Sequence, residues 1–220
     1  KAKYLSMEHI KADTTELLIT NTDIELLVNR YNHYLSIIFQ GNNANFHLVD
    51  NLLSFSKDRI NNIINLLTFI ETHRIDKLKK HPYYLVLPGY LTQKIFDKFY
   101  KYFSLGFATS VSNGFYHEYQ TIRFNKMLNI YDNPLNINGI NFKLFDAEGS
   151  LTKRTDIIRN GTLINLLNNL DIANKYNKPP TGNAYRESYK NPIGISFFNI
   201  GIMNGNVDRK DILLLKNELI

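Results

Sequence analysis

Cysteine is missing from all 220 residues. Its absence removes disulfides, Cys-ligated zinc, iron–sulfur clusters and thiol nucleophiles at once. Tryptophan is absent too. No run of 18 apolar residues occurs, so no segment reads as a transmembrane helix. The opening stretch, KAKYLSMEHIKADTTE, is broken by charge and lacks the apolar core and cleavage site of a signal peptide. The first residue is Lys, so the gene product is expected to start further upstream.

Catalytic signatures are equally scarce. The histidines are His9, His33, His47, His73, His81 and His117, and none forms an HExxH pair. His117-Glu118 is the only His-Glu step, and Thr121 stands where a zincin has its second histidine. No GxSxG marks a serine nucleophile. NIGIMNGN holds Gly201 and Gly205 but neither GxGxxG nor a Lys-Ser/Thr step, so no phosphate cradle is expected.

What is present suits an ordinary globular chain, with 44% apolar and 21% charged residues. Its length allows one large domain or two small ones. The net charge of +6 is scattered, and its densest cluster, Lys77, Lys79 and Lys80, reads as a helix C-terminus. No nucleic-acid partner and no membrane are therefore expected.

YLSIIFQ at 34–40, GNNAN and FHLVD predict an antiparallel hairpin, while residues 16–28 fit strand or helix. Ser56, Asp58 and the spacing of Ile60, Ile63, Ile64, Leu67 and Ile70 predict a helix ending near Lys80. A short strand is expected at 83–89. A second helix follows, with Ile95, Phe96, Phe99, Tyr100 and Phe103 on one stripe. Asn160-Gly161 predicts a type I′ hairpin within 155–168. LDIANKY reads as a short helix, GISFFNIGIMNG as a last strand, and VDRKDILLLKNEL as a last helix capped by Asp208. The fold class is α+β: antiparallel sheets with hairpins, packed with helices.

FDAEG, at 145–149, places Asp146 and Glu148 two residues apart. Acid/base work would require one carboxyl to be desolvated. Nothing in the local sequence indicates that, so a sheet corner with Asp146 accepting local amides is the expected role.

The ordered set Asp146, Glu148, Gly149, Thr152, Arg154, Thr155, Asn160, Gly161, Leu163, Ala173, Thr181, Gly182, Asn183 and Arg186 resembles the TldD/PmbA family, also called modulator of DNA gyrase. The family comprises zinc metallopeptidases and their partner subunits. The resemblance implies a cytoplasmic setting and pairing with a related TldD-like subunit or with itself. It divides the chain into a strand-rich segment at 1–90 with a long helix and a family core at 91–220. The family's N-terminal domain and final β segment are expected to be absent or truncated. The family's HExxxH should fall near Phe96, Asp97 and Lys101, where the chain reads FDKFYK. No catalytic residue, metal ligand or cofactor is therefore carried over. The expected function is a non-catalytic subunit that helps form a cleft for extended peptides, with Thr181, Asn183 and Arg186 as cleft candidates. The alternatives are a zinc peptidase with unorthodox ligands, using His117, Glu118 and Asp146, and an interaction scaffold without peptide binding.

Overall fold

Side chains that alternate along residues 4–19 and 25–40 carry these two runs into an antiparallel ribbon. The computed structural model describes residues 4–19, 25–40, 45–52, 56–72, 87, 92, 95–96, 98–110, 119–203 and 205. They fall into two units, Lys1–Pro82 and Tyr83–Ile220.

In the first unit, β1 (Tyr4–Ile19) pairs with β2 (Glu25–Gln40) from Tyr4↔Gln40 to Ile19↔Glu25. Residues 16–19 and 25–28, ambiguous from sequence, are both strand. β3 (Asn45–Asn51) adds to β2 only over 34–40, as the hairpin pattern predicts. That three-stranded end is where Leu35, Ile37 and Phe39 are buried. Towards the other end lie exposed Leu17, Leu27 and Tyr31. Helix α1 (Lys57–Thr72) follows with Asp58 in its first turn. Its expected continuation to Lys80 lies outside the described residues.

The second unit has, among its described residues, helical positions at 92, 95–96 and 98–99 and a 3-10 turn over Tyr100–Phe103. The expected five-residue apolar stripe is only partly internal. Phe96 packs on the core and Phe103 is buried, whereas Ile95, Phe99 and Tyr100 are exposed. The 3-10 turn is tighter than an α-turn and changes the angular spacing of the stripe from Tyr100 onward. Of the expected strand at 83–89, only Leu87 is described, outside any strand.

A four-stranded antiparallel sheet forms the rest of the core, in the order β6-β5-β4-β9. Its strands are β4 (Ile130–Asp132), β5 (Thr155–Arg159), β6 (Thr162–Leu163) and β9 (Ile200–Ile202). Ile130, Ile157, Ile158, Leu163 and Leu167 pack against Phe103, Leu105 and Ala108, the last two from α2 (Leu105–Ser110). The predicted β5–β6 turn is present, with Asn160 at φ 49° and Gly161 at φ 72°. Leu170–Lys175 forms α3, the short helix read from LDIANKY.

The expected single strand at 194–205 is instead two. β8 (Gly194–Ile195) pairs with β7 (Ala184–Tyr185), and β9 pairs with β4. The chain bends between them because the Phe198 and Asn199 amides turn inward to a buried carboxylate, Asp132. The expected final helix at 207–219 lies outside the described residues. Among the described residues, no helix is long and apolar enough to cross a membrane.

Candidate functional site

Two carboxylates organise the centre of the second unit. Asp132 ends β4 on its inward face and is 0% exposed. Its Oδ2 accepts from Asn183 Nδ2 at 2.6 Å and its Oδ1 from the Asn199 amide at 2.7 Å. The Phe198 amide adds a third donor at 3.1 Å. Burial pushes the Asp132 carboxyl above the ordinary range, and the bonds from Asn183, Asn199 and Phe198 offset part of that push. Asn183 also donates to the Ser196 carbonyl, while its own Oδ1 is buried without a partner.

Asp146 behaves as the corner reading expects. Its Oδ1 accepts from the Glu148 and Ser150 amides at 2.9 and 3.0 Å. Its Oδ2 takes the Ala184 amide at 3.0 Å, tying the turn to β7. Glu148 reaches across to accept from the Leu170 amide at 2.7 Å, beside the Asn169 cap on Ile172. Two side chains thus satisfy the free amides at the start of α3. Glu148→Ala is expected to cost about 1 kcal/mol. A urea midpoint unchanged from the parent chain would show that this second cap contributes nothing.

Of the sequence-derived cleft candidates, Thr181 and Asn183 are buried and Arg186 is exposed. Thr181 and Asn168 clasp each other. The Thr181 hydroxyl accepts from the Asn168 amide at 2.9 Å and donates to its carbonyl at 3.0 Å. The Asn168 side chain takes the Thr181 amide at 2.8 Å and donates to the Pro179 carbonyl. Gly182, between them and Asn183, has φ 73°.

Thr181 also borders an open cleft of about 360 Å³, together with Lys153, Arg154, Asp156, Arg159 and Lys178. Sequence reading missed this grouping because Lys178 lies on the loop after α3, far along the chain from the 153–159 run. Asp156 accepts from Arg159 at 2.7 Å and from Arg154 at 3.1 Å. The Arg159 bond, with Arg154 beside it, holds the Asp156 carboxyl below its ordinary range despite partial burial. Arg154 lies 3.9 Å over the Tyr131 ring, which fixes its guanidinium. A second depression of about 300 Å³ shares Arg154, Asp156 and Arg159 and runs on to Tyr131 and Met203.

The sheet has a usable edge on the same side of β4 as Met203. Asn133 N donates to Asn199 O, and Met203 N donates to Asn129 O. Hydrogen-bonded pairs alternate in an antiparallel ladder, so the main-chain groups of Ile200 and Ile202 face away from β4. Among the described residues, no strand pairs with that outer edge of β9.

Zinc does not fit the donors on view. Among the described residues, no three His, Asp or Glu side chains converge. His9 and His33 do meet, but their ring nitrogens hydrogen-bond to each other at 2.9 Å. Asp146 already accepts three amides, and His117 and Glu118 lie outside the described residues. Phe96, near which the family's zinc motif is expected, packs against the core.

Comparison with known proteins agrees with this architecture. The family model of the PmbA/TldA metallopeptidase C-terminal domain matches residues 84–217. The match places the chain among metallopeptidase-related proteins. The chain belongs to the TldD/PmbA family. TldE from Thermococcus kodakarensis is similar in fold, with a TM-score of 0.69 at 18% identity over 87% of this chain and 44% of that one. A candidate modulator of a DNA gyrase from Thermotoga maritima gives a TM-score of 0.66 at 18% identity, covering 88% and 45%. A candidate modulator of DNA gyrase from Bacteroides thetaiotaomicron gives 0.58 at 14%, covering 84% and 41%. The chain thus spans less than half the length of these solved structures. No curated protein matches it.

Proposed function

We propose that the chain acts as a non-catalytic TldD/PmbA-like subunit, which pairs with a metallopeptidase relative and supplies part of a cleft for extended peptides. The observation that carries this reading is the outward-facing main chain of Ile200 and Ile202 on β9, the edge strand of the sheet. An extended peptide can add to such an edge through main-chain hydrogen bonds, with little demand on its sequence. Arg186, exposed beyond the Thr181–Asn183 turn, is available to grip a carbonyl or carboxylate of the bound chain.

The test uses the whole chain purified alone in metal-clean buffer. The reading expects sub-stoichiometric zinc, no peptide hydrolysis, and a rise in Tm with an extended peptide. At a hundredfold excess over Kd the stabilisation is about 2.7 kcal/mol. Near-stoichiometric zinc with chelator-sensitive cleavage by the chain alone would instead establish an active metallopeptidase. An unchanged Tm at saturating peptide would leave an interaction scaffold.

A further inference from the structure

The cleft beside β5 carries more charge than main-chain capture needs. Four cations, Lys153, Arg154, Arg159 and Lys178, line it together with one carboxylate, Asp156. Asp156 occupies only Nε of Arg154 and Nη2 of Arg159. A guanidinium has five N–H donors, so most donors of both forks are not used by Asp156. Lys153 and Lys178 are exposed and have no ion-pair partner among the described residues. Thr155, on the cleft wall, is 6% exposed, and its Oγ1 has no hydrogen-bond partner.

We infer that this cleft binds a carboxylate of the peptide, either an acidic side chain or the free C-terminus. The inference rests on the peptide-binding reading above and names the chemistry of what is bound. The Asp156 pairings already display the recognition. Two guanidiniums converge on one carboxylate at 2.7 and 3.1 Å. A second carboxylate entering between Lys153 and Lys178 meets the remaining donors. Arg154 needs little reordering because the Tyr131 ring holds it. The volume suits a short stretch of chain. A nucleic acid would need a longer basic stripe to follow its phosphates.

The experiment is fluorescence anisotropy with the full chain and four N-terminally labelled peptides of one length. They are an acidic sequence and its Gln-for-Glu counterpart, each with a free or an amidated C-terminus. The acidic peptide with a free terminus is expected to bind about tenfold more tightly than the neutral amidated one. The two intermediate peptides show which carboxylate supplies the gain. Added salt should erode the gain. The double variant K153Q/K178Q should abolish it while keeping the parent Tm, since both side chains are exposed. If all four peptides bind equally, the carboxylate inference fails and the peptide-binding reading stands. If none binds, both fail. If a short DNA duplex displaces the acidic peptide at equal charge concentration, the site is a general polyanion surface and the inference is overturned.

Discussion

Asp132→Ala is expected to destabilise the second unit by about 3–5 kcal/mol, a large share of a typical domain's margin. The reason is the donors left behind. The Phe198 and Asn199 amides and the Asn183 side chain all point at this carboxylate from inside the core. Asp132→Asn should be milder, about 1–2 kcal/mol. It keeps an acceptor for the two amides and loses only the bond from Asn183, whose Nδ2 still donates to the Ser196 carbonyl. The pH dependence has a definite sign. Burial raises the folded carboxyl's pKa, so the folded chain holds this proton more tightly than the unfolded chain. The stabilisation from that proton is complete below about pH 4 and is lost as pH rises through the folded value. Asp156 works in the opposite direction. Its folded pKa is lowered, so its contribution is present above about pH 4 and is lost as pH falls through the folded value. Urea melts of parent, Asp132→Ala and Asp132→Asn chains across pH 3.5–8 would check the size and the sign of the Asp132 effect. A cost within about 0.5 kcal/mol for Asp132→Ala at pH 7 would refute the assigned role.

Gly182→Ala is the second large effect, expected to cost at least about 2 kcal/mol. The backbone there has φ 73°, which disfavours any side chain. A Cβ would also stand 2.6 Å from the Leu151 carbonyl oxygen and 2.9 Å from Thr152 Cα. Both neighbours are backbone and cannot swing aside. The damage should spread to the two flanking residues, since Thr181 clasps Asn168 and Asn183 serves Asp132. Asn tolerates positive φ better than Ala, as Asn160 does at 49°. Gly182→Asn should nevertheless fail to rescue, because it carries the same Cβ. Recovery of the parent Tm by Gly182→Asn would show that φ alone, and not close approach, selects glycine here.

Local signals were legible where the physics is local. Asn160-Gly161 specifies a turn by itself, and LDIANKY behind Asn169 specifies a helix. FDAEG could be read as a corner because Asp146 bonds amides two and four residues ahead. The break between β8 and β9 was not legible. GISFFNIGIMNG alternates well enough for one strand, and what bends it is Asp132, some 66 residues earlier in sequence. Asp132 itself left one faint trace, a carboxylate two positions after Ile130 on the inward face of a strand. The cationic cleft was hidden for a similar reason. Lys153 and Arg154 are one short basic run on paper, and only the path of the chain after α3 brings Lys178 to face them. Thr181 and Asn183 read as polar loop residues, and nothing local in the sequence shows that both are buried and bonded inward.

The clasp between Thr181 and Asn168 bears on how fast anything can enter beside it. Four hydrogen bonds lock the wall of the cleft from Asn168 to Thr181 before a guest arrives. A rigid doorway leaves little conformational search to slow encounter, so guests of different tightness should differ chiefly in how long they stay.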